Sequence, residues 1–336
     1  MGRSFLGRCA LLLGTFFSPN GLAERICLPT DNVNVFDADS YVQPTCATKK
    51  NGGFGLVREN GTRFHGGIDI RPVCRDSANE PMDEVRSVAD GIVRYINFSP
   101  EKSSLGVYVI VEHDDFSLPI HSLYAHLARI DEQISVGKRV RSGTPLGIMG
   151  RTDGTYQIPK QFAHLHFELG LRLGTEENFA SWYGRHCEDS PNPHGQWNYL
   201  NFVSFDPLPP LQMRQFPLLT HVQCFPTAFK TRVPVCEFPD FLRRYAQLLE
   251  PHAGGEIIAF DIEWTWFGLP KRWNALMDAN LVHDSSVRLL EWDGEWLALC
   301  LKRKTLERTE NGTIRLGTNT LNALEKIFSL RYDHSD

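Results

Sequence analysis

The 336-residue sequence has no excess of positive charge, because 35 Lys and Arg residues face 40 Asp and Glu residues and the formal net charge is −5. No basic stripe is available to hold phosphates, which argues against a nucleic-acid partner. The sequence also lacks a Walker-type loop, a dinucleotide-binding glycine motif and a Ser-His-Asp arrangement. With 42% hydrophobic and 22% charged residues it is typical of a soluble globular protein, and its length predicts two domains.

Long apolar segments are missing beyond the N-terminus. The start is basic, an apolar run extends from Cys9 to Phe17, and small residues precede Glu24. This pattern predicts a secretory signal peptide over residues 1–23, which is too short for a comfortable membrane span. We therefore expect a periplasmic or secreted protein with no membrane anchor after cleavage near Ala23. Because Cys9 lies before the apolar run, a lipoprotein cleavage site is rejected.

No two cysteines have CxxC spacing, so a cysteine zinc site or a thioredoxin-like centre is unsupported. Removal of the signal peptide takes away Cys9 and leaves seven of the eight cysteines. In an oxidising compartment we expect sequential disulfide bonds that leave Cys300 as a buried, inert thiol. The predicted pairs are Cys27 with Cys46, Cys74 with Cys187, and Cys224 with Cys236.

What the sequence does have is an alternating run from Ala163 to Leu169. Read as a strand with a period of two, this run places His164, His166 and Glu168 on one face and the leucines and Phe167 on the other. Two imidazoles then lie side by side over a solvent-exposed surface. Half-exposed strand histidines are commonly ordinary surface residues, so a metal or catalytic role requires partners elsewhere in the chain.

The partners come from the segment Phe64 to Ile70, in which His65 and Asp69 are four residues apart and separated by two glycines. Glycines remove side chains that would crowd a cation and let the backbone turn, so both side chains can aim at one point. His65, Asp69 and one of the later histidines form a set of two nitrogens and one oxygen. That set suits zinc with a fourth position open for water, the catalytic arrangement. Spacing alone does not decide which histidine of the pair binds the metal.

Together with three further motifs, these two segments resemble the lysostaphin-type (LytM-like) zinc endopeptidases of cell walls in order and in residue type. The motifs are, in chain order, His65 to Asp69, Leu123-Tyr124-Ala125-His126-Leu127, Val136 to Gly143, Gly147 to Gly150, and His164 to Glu168.

The resemblance implies one zinc ion per chain, held by His65, Asp69 and His166. It also implies that His126 and His164 are catalytic, moving protons or steadying the oxyanion while a metal-activated water attacks a peptide bond. The implied substrate is the peptide part of peptidoglycan. Glu168 either holds a ligand imidazole or is a solvated surface carboxylate.

The predicted fold is mainly antiparallel β, a LytM-like domain with a groove across one sheet, followed by a smaller α+β domain. Closely spaced short strands between residues 85 and 169 favour this class. We place the peptidase domain at 24–205, a proline-rich linker at 206–211, and a module of unknown role at 212–336. Three segments depart from the family's tight pattern and are expected to wall the groove as loops: Cys74 to Glu84, Arg151 to Phe162, and Gly174 to Trp197.

Within the second module the pattern predicts helices over 239–250, 270–281 and 321–330 and a strand over 255–266. It also predicts a hairpin over 287–304, turning at Asp293-Gly294, and another that turns at Asn311-Gly312. Five of the seven tryptophans lie in this module. Sugar stacking is one interpretation of them, but core filling is the favoured one.

Two other functions fit the same resemblance. One is a non-catalytic murein-binding or amidase-activating protein, a class whose members have usually lost ligands that this chain retains. The other is a zinc peptidase that acts on other proteins, because the loops around the motifs are unusual.

Overall fold

The computed structural model describes residues 24–45, 51–188, 190–215, 217–235, 237–278 and 286–329. The predicted signal peptide, Cys46 and Cys236 lie outside these ranges. No helix in the described ranges is both long enough and apolar enough to span a membrane.

The described strands are β1 Gly55–Arg58, β2 Arg63–His65, β3 Ile68–Ile70, β4 Glu84–Arg86, β5 Gly91–Asn97, β6 Tyr108–His113, β7 Ile120–Ala125, β8 Leu127–Ile130, β9 Arg139–Val140, β10 Pro145–Met149, β11 Leu165–Arg172, β12 Phe202–Phe205, β13 Phe229–Pro234, β14 Ala259–Trp264, β15 Pro270–Leu276, β16 Arg288–Trp292, β17 Leu306–Arg308 and β18 Ile314–Leu316. The helices are α1 Ala38–Tyr41, α2 Glu176–His186, α3 Leu208–Met213, α4 Leu218–Gln223, α5 Asp240–Arg244, α6 Leu297–Arg303 and α7 Thr318–Phe328.

The largest sheet has seven strands in the order β12-β11-β7-β6-β5-β9, with β3 paired to β11. A three-stranded sheet, β4-β10-β8, and the β1-β2 ribbon complete the N-terminal part. The C-terminal part contains the four-stranded sheet β15-β14-β13-β16 and the β17-β18 ribbon. The paired strands run antiparallel, so the predicted class, mainly antiparallel β followed by an α+β part, is confirmed.

Strand β11 is the central element of the large sheet. It has β7 along one edge and β3 followed by β12 along the other. Its core-facing residues Leu165, Phe167 and Leu169 are fully buried, as the alternating pattern predicts. The opposite face is buried as well: His164, His166 and Glu168 are only 3%, 6% and 8% exposed. The expectation of a solvent-exposed histidine face was therefore wrong.

Three predicted elements were wrong, and in the first of them strand pairing outweighed the local pattern. The segment predicted as a helix over 270–281 begins with strand β15, which pairs with β14 and buries Trp273. The predicted hairpin over 287–304 is strand β16 followed by helix α6, so Cys300 is buried in a helix. The predicted loop over 174–197 contains α2, whose first turn is capped by the Thr175 side chain.

Other predictions for the C-terminal part are confirmed. The turn at Asn311-Gly312 joins β17 to β18, and the final helix spans Thr318–Phe328. Trp264 and Trp273 are fully buried, as core filling requires, whereas Trp292 is 45% exposed.

The predicted disulfide between Cys74 and Cys187 was wrong, because both are free thiols. The two cysteines lie in different parts of the fold. The backbone N–H of Cys74 donates to the Asp83 carboxylate, whereas Cys187 caps the end of helix α2, which packs on α7. Cys27 and Cys224 are free as well. Cys300 is a free, buried thiol as predicted.

The two parts of the chain pack closely against each other. The proline cluster predicted as a linker forms α3, in which Pro210 and Leu211 are buried. The backbone N–H of Arg172 in β11 donates to the Tyr245 hydroxyl at 2.9 Å, and Trp182 Nε1 in α2 donates to Asn322 in α7 at 3.2 Å. One continuous apolar core includes residues from both parts. The domain boundaries stay a prediction.

Candidate metal centre

Three strands bring together the residues predicted to bind metal. His65 ends β2, Asp69 is the middle residue of β3, and the two are joined by the Gly66-Gly67 turn. In the ladder between β3 and β11, Asp69 lies directly opposite His166. A Cβ atom at Gly67 would lie 2.3 Å from the Phe167 carbonyl oxygen, so only glycine allows this close approach to β11. The register of β3 and β11 therefore fixes Asp69 beside His166, and the Gly66-Gly67 turn brings His65 to them.

Three donor atoms of these residues converge on one point. His65 Nε2 lies 2.9 Å from His166 Nδ1, and Asp69 Oδ1 lies 3.2 Å from each of the two nitrogens. A tetrahedral zinc ion with bonds of about 2.0–2.1 Å separates its ligand atoms by about 3.3 Å. The three side chains are also 6% exposed or less. Both the donor set and its spacing therefore fit zinc.

Each imidazole is oriented by a hydrogen bond at the nitrogen that points away from this centre. His65 Nδ1 donates to the Gly53 carbonyl at 2.7 Å, which leaves the Nε2 lone pair facing the other donors. His166 is turned the opposite way: its Nε2 lies 2.7 Å from Glu168 Oε1, so Nδ1 faces the centre. Such outer hydrogen bonds orient metal-binding histidines in proteins.

Glu168 is a support for His166 and not a solvated surface carboxylate. One of its oxygens binds His166, and the other accepts a hydrogen bond from the Ser204 hydroxyl at 2.6 Å. Burial raises the pKa of Glu168, but the hydrogen bond and charge of His166, together with the hydrogen bond from Ser204, lower it to about 2. The carboxylate is thus ionised and fully engaged.

The electrostatics of the centre favour a positive charge. Burial raises the pKa of Asp69, yet His164 and His65 hold it well below its ordinary value. Burial lowers the pKa of His166, but its hydrogen bonds to Asp69 and Glu168 raise it to about 9. Two buried carboxylates thus stabilise positive charge between them, as a bound cation would require.

The two predicted catalytic residues lie beside the same centre. The rings of His126 and His164 are 4.8 Å apart, and His164 Nε2 lies 3.4 Å from Asp69 Oδ1. Nδ1 of His126 donates to the Thr152 carbonyl at 2.7 Å, and Nδ1 of His164 donates to the Phe162 carbonyl at 2.6 Å. Both rings therefore keep an Nε2 lone pair. His126 has a backbone φ of 63°, a left-handed conformation that is uncommon outside glycine and is often retained at functional sites.

The structure also brings in Arg58, which the sequence patterns did not indicate. One guanidinium nitrogen, Nη2, contacts Asp69 Oδ2 and also lies 3.2 Å from His65 Nε2. Arg58 ends β1, and the ribbon with β2 folds it back toward His65. No spacing rule marks such a residue, because only the hairpin register brings it to the site.

Two further histidines near the motifs are structural. His113 is buried between the Asp90 carbonyl and the Ser122 hydroxyl, 2.7 Å from each. His121 packs on the Phe202 ring at 4.2 Å, and in the described part of the chain neither of its nitrogens has a hydrogen-bond partner. Neither belongs to the convergence of donors.

Comparison with known proteins assigns a family to this segment. Residues 63–178, about a third of the chain, match the model described as peptidase family M23. The resemblance to the lysostaphin-type family is therefore confirmed over the residues that carry the site. None of the curated proteins compared with the chain matches it.

Part of the chain is similar to solved structures, among them a zinc-containing peptidase from Vibrio cholerae. The two sequences are 25% identical, the match covers 46% of this chain and 42% of the Vibrio chain, and the TM-score is 0.30. The catalytic domain of the antimicrobial peptidase lysostaphin from Staphylococcus simulans has 18% identity, covers 48% of this chain and 87% of its own, and has a TM-score of 0.29. The matched part spans less than half of the Vibrio protein.

We expect the five residues of the site to separate into two classes when each is replaced by Ala. Replacing His65, Asp69 or His166 removes one of three donors, so zinc content should fall together with activity. Replacing His126 or His164 should leave about one zinc per chain while turnover drops by roughly 10²-fold or more. Elemental analysis of each purified variant, beside its hydrolysis rate, measures both quantities.

Two results would contradict this division. Loss of zinc in His164→Ala with retention in His166→Ala would exchange the roles within the pair. Retention of both metal and activity in all five variants would show that these residues do not form the metal site.

Proposed function

We propose that this protein is an exported, zinc-dependent endopeptidase that hydrolyses peptide bonds in peptidoglycan stems or cross-links. The observation that carries the proposal is the convergence of His65, Asp69 and His166 beside two imidazoles with fixed tautomers. The family match over residues 63–178 supports the reaction class. The resemblance of the motifs to cell-wall peptidases supports the substrate class and a periplasmic or secreted location.

The proposed ligands of a single zinc ion are His65 Nε2, Asp69 Oδ1 and His166 Nδ1. When bound, zinc lowers the pKa of a water molecule and polarises the peptide carbonyl. A site with three protein ligands leaves a position for water, and the closest donors in the described residues supply three. Glu168 and Gly53 hold the two histidine rings in place.

His126 and His164 are the proposed proton carriers. Hydrogen bonds at Nδ1 fix both rings so that Nε2 can accept a proton from the attacking water and return it to the leaving amine. Both side chains are at least nine-tenths buried, which keeps bulk water from competing for these protons. Arg58 holds Oδ2 of Asp69, which leaves Oδ1 as the oxygen aimed at the centre.

We place the peptidase domain at 24–205, followed by the segment at 206–211 and the module at 212–336. We propose that this module supports the peptidase domain and contributes no catalytic group. Two of its aromatic residues, Trp266 and Phe267, pack edge-on against Phe64 and Phe54, with ring centroids 5.9 Å and 5.4 Å apart. Phe64 precedes His65 in β2, so the module braces the ribbon that carries His65 and Arg58.

The test is digestion of purified sacculi by the full-length exported protein, with and without a zinc chelator. We expect soluble muropeptides cut at a peptide bond, identified by mass, only in the sample without chelator and again after zinc is restored. The His164→Ala variant is the inactive control. Absence of soluble product in every sample, from protein that carries zinc, would support a non-catalytic wall-binding protein instead. Cleavage of unrelated proteins but not of sacculi would show that the substrates are other proteins and not peptidoglycan.

Arg58 gives a second test of the proposed arrangement. Arg58→Ala removes the contact with Asp69 Oδ2, so zinc affinity or turnover should fall by roughly 10- to 100-fold, the range for lost outer contacts to metal ligands. Zinc titration and hydrolysis rates measure the two effects separately. Arg63→Ala is the matched control, because Arg63 lies opposite Arg58 in the same ribbon and its side chain is 63% exposed. Equal behaviour of the two variants would show that Arg58 has no role in the centre.

A further inference from the structure

A cavity of about 320 Å³ lies where the large sheet meets helices α6 and α7. Glu168 and Phe64 line it on the side of the metal centre, and Arg303, Asn319, Asn322 and Lys326 line it on the side of the helices. The volume is within the range of small-molecule sites. The proposed mechanism makes no use of this space.

The helix side of the cavity carries two basic side chains without a carboxylate partner. Burial lowers the pKa of the Lys326 amine to about 7, so Arg303 is the group that is charged at neutral pH. Arg303 and Lys326 form no ion pair within the described part of the chain. Arg303 Nε is buried without a hydrogen-bond partner, and its guanidinium lies 4.2 Å from the centre of the Phe64 ring. Lys326 is only 6% exposed and donates to the Leu200 carbonyl at 2.6 Å. Desolvated charges are costly unless they are paired, so this wall lacks an anion.

The nearby carboxylates do not supply that anion. Glu168 is engaged by His166 and Ser204. Glu325, the neighbour of Lys326 in α7, accepts instead from Arg185 at 3.1 Å and from His186 at 2.9 Å. No carboxylate therefore pairs with Arg303 or Lys326. Each lies instead over an aromatic ring, with Lys326 Nζ 3.9 Å from the centre of the Trp182 ring.

The remaining lining fits an organic anion. Asn322 accepts a hydrogen bond from Trp182 through its side-chain oxygen, which leaves its amide nitrogen as a donor. Aromatic and aliphatic side chains, including Phe64, provide an apolar surface for the body of a ligand. Because the Glu168 carboxylate also lines the cavity and would repel an anion, a ligand with one negative charge fits better than a phosphate with two.

We propose that this cavity binds a small organic carboxylate, its charged end at Arg303 and Lys326 and its apolar body against the aromatic wall. Two sources share this chemistry: the C-terminal carboxylate of a peptide and a free small acid. The inference does not depend on peptidase activity, because it rests on the charges and shape of the cavity alone.

The test compares matched charged and neutral probes on the intact protein by titration calorimetry. We expect benzoate to bind at least about 10-fold more tightly than benzamide, since only benzoate can pair with the Arg303 cation. Arg303→Gln should remove that preference, and Lys302→Gln should keep it, because Lys302 is an exposed neighbour in the same helix that does not line the cavity. Equal binding of benzoate and benzamide, or no binding of either, would overturn the proposal.

A second pair of probes distinguishes the sources. Binding of N-acetyl-alanyl-alanine in preference to its amide, in competition with benzoate, would identify a peptide end, whereas binding of benzoate alone would identify a free acid. The wild-type comparison stands even if Arg303→Gln fails to fold. Because the readout is binding, inactivity on sacculi would leave this inference standing, and failure here would leave the proposed peptidase standing.

Discussion

The constraint on which the rest of the structure depends is the close approach of three electron-pair donors, which lie within 3.2 Å of one another. Without a positive charge among them, His65, Asp69 and His166 would repel one another in a buried site. The surrounding groups are arranged to keep them there. Carbonyl and carboxylate acceptors orient the rings, Arg58 occupies the second oxygen of Asp69, and the β3–β11 ladder fixes the distance between Asp69 and His166.

Rigid strands position the proposed metal ligands, while the residues beside them come from less regular backbone. Asp69 and His166 lie in paired strands of the large sheet and His65 lies in the β1-β2 ribbon, whereas His126 follows the end of β7 in a left-handed conformation. Its nitrogen is nevertheless aimed by a hydrogen bond to Thr152. The fold thus combines the proposed metal ligands, positioned by strands, with proposed proton carriers oriented by single hydrogen bonds, the kind of preorganisation that catalysis requires.

Period-two alternation and a four-residue spacing, which survive in any strand arrangement, marked His65, Asp69, His164 and His166, and the family resemblance implied His126. The structure brings these five side chains together, while their roles stay a prediction. The sequence was insufficient for Arg58, whose place depends on the register of a short ribbon. Solvent exposure of the His164 face was also mispredicted, since burial there is decided by packing over the sheet. Local pattern predicted a helix where β15 pairs with β14 across the sheet, and counting cysteines paired Cys74 with Cys187, which the fold holds apart.

The central claim is that His65, Asp69 and His166 form one zinc site without sulfur. X-ray absorption spectroscopy of the zinc-loaded protein measures the ligand type and distance directly. The account predicts nitrogen and oxygen neighbours at about 2.0–2.2 Å with the multiple-scattering signature of two imidazoles. Sulfur neighbours at about 2.3 Å, or zinc without imidazole signals, would place the metal elsewhere, for example on the free cysteines, and would contradict it.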